Sequence, residues 1–257
     1  MPAIDPERAA YSTPDRRMKQ VLWWICLLAA PLVLITIELF HPANFTASPG
    51  PGMYQFLSHA EHYDPTYQAL GYFGPEWWFA LHMIQTPMVG LVAVGLWLMV
   101  DDVGGADGGA AMVCAWLARV AIFVFAIYFT ILDAIGGIGL GRTIVVVESL
   151  KLDEKQLDVV KMLLNTMWVD PLVGGVGSLI SHTASWAAFA ASVLVAATLL
   201  LSRRAGWMNM AVLVGFGWEL QTSHAALHGP IAFALLIVAS GWLWWTRRRR
   251  ADVAQIA

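Results

Sequence analysis

Residues 77–100 read WWFALHMIQTPMVGLVAVGLWLMV and contain no Asp, Glu, Lys or Arg. Because about 20 mostly apolar residues span the hydrocarbon core of a bilayer as a helix, this stretch predicts a transmembrane helix. Five further apolar runs have comparable lengths, although polar residues interrupt the run that starts at 207. The predicted spans are 21–40, 77–100, 111 to about 135, 178–201, 207 to about 224 and 230–246. The sequence therefore predicts an all-α, polytopic bundle of six transmembrane helices (21–246), between an N-terminal tail (1–20) and a basic C-terminal tail (247–257).

The composition agrees with a membrane protein and excludes several soluble classes. The chain is 58% hydrophobic and 13% charged, whereas soluble domains carry about 25% charged residues. Its two cysteines, Cys26 and Cys114, form no CxxC pair, which argues against a thiolate zinc site, a c-type haem and a disulfide framework. The arginine run 247–250 abuts a predicted helix end. We interpret that run as a topology anchor near anionic lipid and expect no nucleic-acid binding.

The distribution of basic residues predicts the orientation. Lys and Arg cluster before the first run, after the fourth and after the sixth, and none occurs in 41–76. Since basic residues favour cytoplasmic loops, we expect both termini in the cytoplasm and outer segments at 41–76, about 136–177 and 225–229. Four basic residues in the second outer segment dissent: Arg142, Lys151, Lys155 and Lys161.

The two long outer segments carry structure of their own. Segment 41–76 is rich in Tyr, Phe and Pro, which predicts a packed loop on the bundle. Residues 153–168 predict an amphipathic helix capped by Asp153 with Gln156, and we expect it to lie in the membrane interface as a lid. Its predicted apolar face is Leu157, Val160, Leu163, Leu164 and Met167. The glycines between 136 and 141 indicate either close helix packing, which is the commoner case, or a hinge.

Ionisable side chains from several predicted spans lie toward the outer side. Each such group costs about 2.5–3.5 kcal/mol within a span, so groups on different helices are expected to converge inside the bundle. Imidazole and carboxylate ligands without thiolate suit Cu, Fe or Zn. The predicted metal ligands are Glu38, His41, His82, Asp133 and His224. The predicted lining residues are Trp77, Trp78, Gln85, Trp168, Asp170, Trp218 and Glu219.

A b-type haem is the alternative cofactor. His82 and His182 lie on two predicted helices at similar depth and are candidate axial ligands. Arg142 or a loop Tyr would then meet the propionates. His228, four residues after His224, is a further candidate cofactor ligand.

An ordered set of short motifs carries a resemblance that covers most of the chain after residue 30. The motifs are His41-Pro42, His82-x-x-Gln85, Asp133 before the glycine-rich run, Trp168-x-Asp170-Pro171, Ser223-His224 and Gly229-Pro230. This pattern resembles a family of small bacterial six-helix integral membrane proteins that carry no assigned function. The resemblance implies a multi-pass protein of the bacterial cytoplasmic membrane and favours His41, His82, Asp133, Asp170 and His224 over His182 and His228.

Three functions fit these patterns. The first is a His/carboxylate site near the outer face that binds a metal ion or haem for redox chemistry on a small or hydrophobic substrate. The second is a proton-coupled transporter in which the same groups relay protons. The third is a non-catalytic subunit of a larger membrane complex, whose outer loops and Trp residues meet partner subunits. Membrane lipid is an expected partner in all three.

Overall fold

The computed structural model describes residues 13–41, 52–59, 62, 74–225 and 227–256, and this part of the chain is helical without any strand. Helix α1 consists of Thr13–Trp24, a π-helical turn at Ile25–Ala29 and Ala30–Glu38 in unbroken succession. Helix α4 likewise joins Gly109–Leu132, the π-helical segment Asp133–Gly139 and Leu140–Ser149. The other helices are α2 (Met53–Ser58), α3 (Pro75–Val100), α5 (Glu154–Trp168), α6 (Leu179–Leu201), α7 (Trp207–Thr222) and α8 (His228–Ile256).

Five of these helices are long and apolar enough to cross a membrane, which indicates a multi-pass membrane protein. They are Arg17–Glu38 of α1, all of α3, Gly109–Ser149 of α4, all of α6 and His228–Arg247 of α8. Helix α7 has 16 residues and a length of about 24 Å, which is shorter than the hydrocarbon core of about 30 Å. The predicted span from 207 to about 224 therefore stays a prediction.

Helix α7 nevertheless packs tightly between α6 and α8. Gly217 lies against Ser192 of α6, where an added Cβ would approach the Ser192 Oγ to 2.7 Å. The Asn209 side-chain amide donates to the Ala239 carbonyl of α8 at 2.8 Å. Helix α7 therefore belongs to the same core as its neighbours.

Basic residues gather at one end of the bundle, which we call the arginine end. Lys19 pairs with Asp101 at 2.7 Å, and Arg204 pairs with both Asp102 and Asp107. Arg247 donates to the Met99 carbonyl at 3.2 Å. The basic residues in the first turns of α1, after α6 and late in α8 therefore share one end. The membrane side that this end faces stays a prediction.

Asp107 supplies a pH-dependent contact in the short connection between α3 and α4. The Gly104 backbone N–H donates to its carboxylate at 3.0 Å, and this bond, followed by that from Arg204, lowers the pKa of Asp107. Because the folded pKa lies below the unfolded value, the contribution to stability is complete above the unfolded pKa of about 3.9 and is lost as pH falls through the folded pKa. We expect Asp107→Asn to lower thermal stability in detergent at pH 7 and the difference from the parent to shrink at pH 3. A difference that stays constant across this range contradicts the assignment.

Helix α4 is longer than predicted. The expected span ended near residue 135, but the helix has 41 residues and runs to Ser149, a length of about 61 Å. The predicted outer segment 136–177 therefore begins inside a helix. The glycines do not break the helix because two of them allow close contact with α3. A Cβ at Gly137 would lie 2.2 Å from the His82 ring, and one at Gly141 would lie 2.8 Å from the Trp78 ring. Of the two predicted roles for the glycines, close packing agrees with this structure.

The extension of α4 carries a second small core, built with α2 and α5. Leu164 and Trp168 of α5 are buried with Met53, Phe56 and Leu57 of α2. The predicted capping box is confirmed, because the Gln156 N–H donates to the Asp153 carboxylate at 2.9 Å and the Asp153 N–H donates to the Gln156 side chain at 3.1 Å. Of the predicted loop 41–76, the structure describes residues 41, 52–59, 62 and 74–76, and the remainder lies outside the described residues.

The packing face of α5 and the bounds of α8 differ from the predictions. Leu163 and Met167, expected on the packing face of α5, are exposed, because Leu164 and Trp168 one residue further on occupy the buried face. Helix α8 begins at His228, two residues before the predicted start of its span at 230, and continues past the predicted end at 246 to Ile256. Since Pro230 lies in the first helical turn, its missing N–H removes no hydrogen bond within the helix.

Candidate metal centre

Side chains from four parts of the chain converge at the end of the bundle opposite the arginine end. Glu38 and His41 lie at the end of α1, and His82 lies in the second turn of α3. Asp133 starts the π-helical segment of α4, and His224 lies in the link between α7 and α8. The five predicted metal ligands therefore occupy one region, which we call the histidine end.

Three imidazoles form the centre of this region. The His41 ring centroid lies 5.3 Å from that of His82 and 5.1 Å from that of His224. One ring nitrogen from each of these residues lies within 4.8 Å of the other two. Two tetrahedral ligands with metal–nitrogen bonds of about 2.0–2.1 Å lie about 3.3 Å apart, so binding requires each pair to approach by at most about 1.5 Å. Small side-chain rotations supply such a movement.

Hydrogen bonding fixes which nitrogen His82 presents. Its Nδ1 lies 2.8 Å from the Trp78 carbonyl, and because a carbonyl only accepts, Nδ1 carries the proton. The lone pair of Nε2 is then available, which is how ligating histidines are commonly oriented in metal sites. The Trp78 indole N–H in turn donates to the Gly136 carbonyl of α4 at 3.1 Å. The π-helical segment and α3 thus hold one imidazole in a ligand-competent state.

Gly137 explains why His82 can occupy this position. Its missing side chain leaves the space that the His82 ring fills, since a Cβ there would lie 2.2 Å from two ring carbons. The Trp78 ring packs on the other side, with its centroid 4.4 Å from the imidazole. Helices α3 and α4 therefore clamp His82 between an indole and a bare helix surface.

Two buried carboxylates accompany the imidazoles. Asp133 is 1% exposed and accepts a hydrogen bond from the Thr86 hydroxyl at 3.1 Å. Glu38 is fully buried, and neither of its carboxylate oxygens has a hydrogen-bond partner among the described residues. Both carboxyl groups lie at the histidine end. They are not members of the group whose ligand atoms lie within 4.8 Å, so the structure places them around the three histidines.

A cavity of about 370 Å³ opens beside the three histidines. Its walls include His182, Ser181 and Ser185 of α6 and Thr222 and Ser223 at the end of α7. Among the described residues that line it there is no Lys or Arg. A divalent cation there would balance the two carboxylates, because unpaired buried charges cost several kcal/mol each. The arrangement can therefore hold one cation and a small ligand next to it.

Sequence reasoning missed some of these residues, although a signal existed for a few. Ser178, Ser181 and Ser185 recur at helical spacing around His182, and Ser181 and Ser185 line the cavity. Phe129, whose ring centroid lies 5.4 Å from that of His224, had no such signal within an apolar helix. Trp78 and Trp168 were predicted to line the site, and both do.

The described lining of the cavity does not include four other predicted lining residues: Trp77, Gln85, Trp218 and Glu219. Trp218 is 53% exposed and packs against Phe189, and Glu219 pairs with His228 at 2.7 Å. Trp77 donates its indole N–H to the Phe40 carbonyl at 2.9 Å beside the centre. Gln85 is fully buried one turn beyond His82, and its amide has no hydrogen-bond partner among the described residues.

Asp170 and two predicted haem contacts also do not line the cavity. The Asp170 carboxylate accepts from the backbone N–H groups of Val173 and Leu172, which lower its pKa, so it shapes the turn after α5. Arg142 is exposed and lies over the Phe79 ring. His228 is half-exposed in its pair with Glu219. Of the four candidate haem-binding residues, His82 and His182 line the cavity, whereas Arg142 and His228 do not.

The predicted resemblance to small bacterial six-helix membrane proteins stays a prediction. No protein-family model, no curated protein and no solved structure matches the chain.

Proposed function

We propose that the protein is a membrane-embedded metalloprotein in which His41, His82 and His224 bind one transition-metal ion at the histidine end. The ion acts in redox chemistry on a small or hydrophobic substrate held in the adjoining cavity. One observation carries this proposal: nitrogens of three imidazoles from separate segments lie within 4.8 Å of one another inside an apolar bundle. The His41 and His82 side chains are buried and His224 is partly buried, and imidazoles at such distances can share one cation.

The surroundings support a cation as that partner. Asp133 lines the cavity and Glu38 is buried at the same end of the bundle, and the described cavity lining contains no Lys or Arg that would compete with a cation for these carboxyl groups. Three protein ligands leave further coordination positions open, as in catalytic metal sites. Copper and iron fit both the imidazole ligands and redox chemistry, whereas zinc fits the ligands and has no redox chemistry.

A haem is less well supported than a single ion. His82 and His182 both line the cavity, but the His41 ring lies 5.3 Å from that of His82. That ring occupies the space that a porphyrin beside His82 would need. Arg142, the predicted propionate partner, lies over Phe79 and away from the cavity.

The buried polar groups elsewhere in the bundle give little support to a proton path. Ser192, Asn209 and Ser240 lie between the two ends, and each donates its hydrogen bond to a backbone carbonyl of a helix. Among the described residues these groups do not form a chain from the histidines to the arginine end. The site is thus better suited to bind an ion than to conduct protons.

Metal analysis tests the proposal directly. Protein purified gently in mild detergent, stripped with a chelator and reloaded with Cu²⁺, Fe²⁺ or Zn²⁺ is expected to retain one ion per chain after gel filtration. Its visible spectrum is expected to show no haem Soret band. Monodisperse, helical protein that takes up no metal above a detergent blank contradicts the proposal. A stoichiometric Soret band transfers the assignment to haem.

A further inference from the structure

A second cavity, of about 460 Å³, lies between α4 and α5. This volume falls in the range of about 300–1,000 Å³ that is usual for ligand pockets. Ile135 and Leu140 of α4 face Leu163 and Met167 of α5 across it, and the lining contains no charged side chain among the described residues. Thr143 contributes the one hydroxyl, which donates to the Gly139 carbonyl of its own helix at 2.8 Å. We call this space the α4–α5 cavity, and its surface suits a hydrocarbon.

The α4–α5 cavity adjoins the metal-site cavity. Gly136 and Trp168 line both spaces. The Trp168 ring packs over Gly175, where an added Cβ would come within 2.4 Å of it, and it also lies near Gly136. One indole ring therefore forms the partition between the apolar space and the three histidines.

The outer rim of the α4–α5 cavity is apolar as well. Ile135, Leu163 and Met167 line the cavity and are also exposed on the surface of the bundle. Val159 and Met162 extend this exposed apolar surface along α5. An amphipathic helix with such an outer face lies at the boundary between lipid headgroups and chains. A hydrocarbon chain in the membrane can thus reach the cavity without crossing water.

We propose that the α4–α5 cavity holds the hydrocarbon chain of an amphiphilic substrate whose small polar head reaches the three-histidine centre past Trp168. This inference rests on the proposed metal centre and names the substrate class that the centre takes. Contacts with the apolar cavity walls replace the contacts that the chain makes with lipid, and a compact head matches the polar walls at Ser181 and Ser185. A whole phospholipid shares the chain chemistry, so the experiment compares it directly with a single-chain amphiphile.

Photo-crosslinking of protein in phospholipid nanodiscs tests the inference. The probe is a long-chain alcohol with a diazirine at mid-chain, and a phosphatidylcholine with the same diazirine chain is the comparison. We expect the alcohol to label 134–143 and 163–168. Thr143→Phe, which fills the cavity from an exposed position, is expected to reduce this labelling about tenfold. Thr130→Phe, on the same helix and outside both cavities, is expected to leave it unchanged.

Three results overturn the inference. Labelling spread along the lipid-facing side of α4, with Phe123 labelled as strongly as Thr143, shows that the chain has no fixed site. Equal labelling by the phosphatidylcholine probe shows a structural lipid. Insensitivity to Thr143→Phe excludes the cavity as the site.

Metal content, measured on the same samples, separates this inference from the proposed function. Bound metal with diffuse labelling leaves the metal centre in place and removes the chain site. Specific labelling of protein that binds no metal removes the metal centre and, with it, the substrate assignment. In Co²⁺-loaded protein the unlabelled alcohol is expected to alter the visible absorption of the ion, and Thr143→Phe is expected to suppress this change.

Discussion

Replacing His224 with alanine is expected to weaken metal binding about 100-fold or more, because loss of a group that merely orients a ligand already costs about 10–100-fold. His224 lies in the α7–α8 link and outside the regular helices, so its removal spares the helix packing that holds His41 and His82. The measurement is competitive titration of stripped protein with a metal-sensitive dye in detergent.

His182→Ala is the matched control for this experiment. His182 lines the same cavity but is not one of the three histidines whose nitrogens lie within 4.8 Å of one another. We expect its removal to change the metal affinity little. If both variants weaken binding equally, the three-histidine assignment is wrong. If His182→Ala alone weakens binding, the ligand set includes α6.

Gly137→Ala is expected to destabilise the bundle and to disturb the metal site together. The new Cβ would lie 2.2 Å from the His82 ring, so either the imidazole must leave its place or α3 and α4 must separate. Overpacking of this kind costs about 1–3 kcal/mol or more. We expect a lower midpoint in denaturant unfolding of the detergent-solubilised protein and a weaker metal affinity.

Gly90→Ala is the matched control, since Gly90 lies in the transmembrane helix α3 and an added Cβ there meets nothing within 4 Å. Removing a glycine from a helix interior stabilises it by about 0.5–1 kcal/mol. We therefore expect unchanged or slightly raised stability and unchanged metal binding. Equal behaviour of the two variants would falsify the close contact between Gly137 and His82.

The convergence of ionisable groups could be predicted because hydrocarbon penalises each of them separately. Glu38 and His82 lie in runs that are otherwise free of charge, and Asp133 shares its run with Arg119 alone. The bundle interior is the place where such groups meet partners. The same reasoning located the apolar runs. It needed no knowledge of which helices are neighbours.

The orientation of each helix about its own axis could not be predicted. In water an amphipathic pattern marks the buried face, but lipid chains are as apolar as Leu, so a membrane helix can be apolar all round. Helix α7 shows the consequence, because Phe216 is fully buried while Trp218, two residues on, is 53% exposed. For this reason Trp218 and Glu219 were predicted to line the site, although neither lines the cavity.

Two further predictions differ from the structure for another reason: that the helix ends near residue 135, and that Asp170 lines the site. Glycine weakens an isolated helix, yet at Gly137 and Gly141 contact with α3 outweighs that tendency. A carboxylate can line a metal site, but that of Asp170 accepts hydrogen bonds from the backbone N–H groups of Leu172 and Val173 and therefore shapes a turn. Both outcomes depend on tertiary contacts that a single sequence does not contain.

X-ray absorption spectroscopy of metal-loaded protein tests the central claim most directly. If His41, His82 and His224 bind one ion, the spectrum shows about three imidazole nitrogens at about 2.0–2.1 Å, and His224→Ala reduces that number by one. A shell of six oxygen scatterers without the outer-shell signature of imidazole, unchanged by His224→Ala, contradicts the claim.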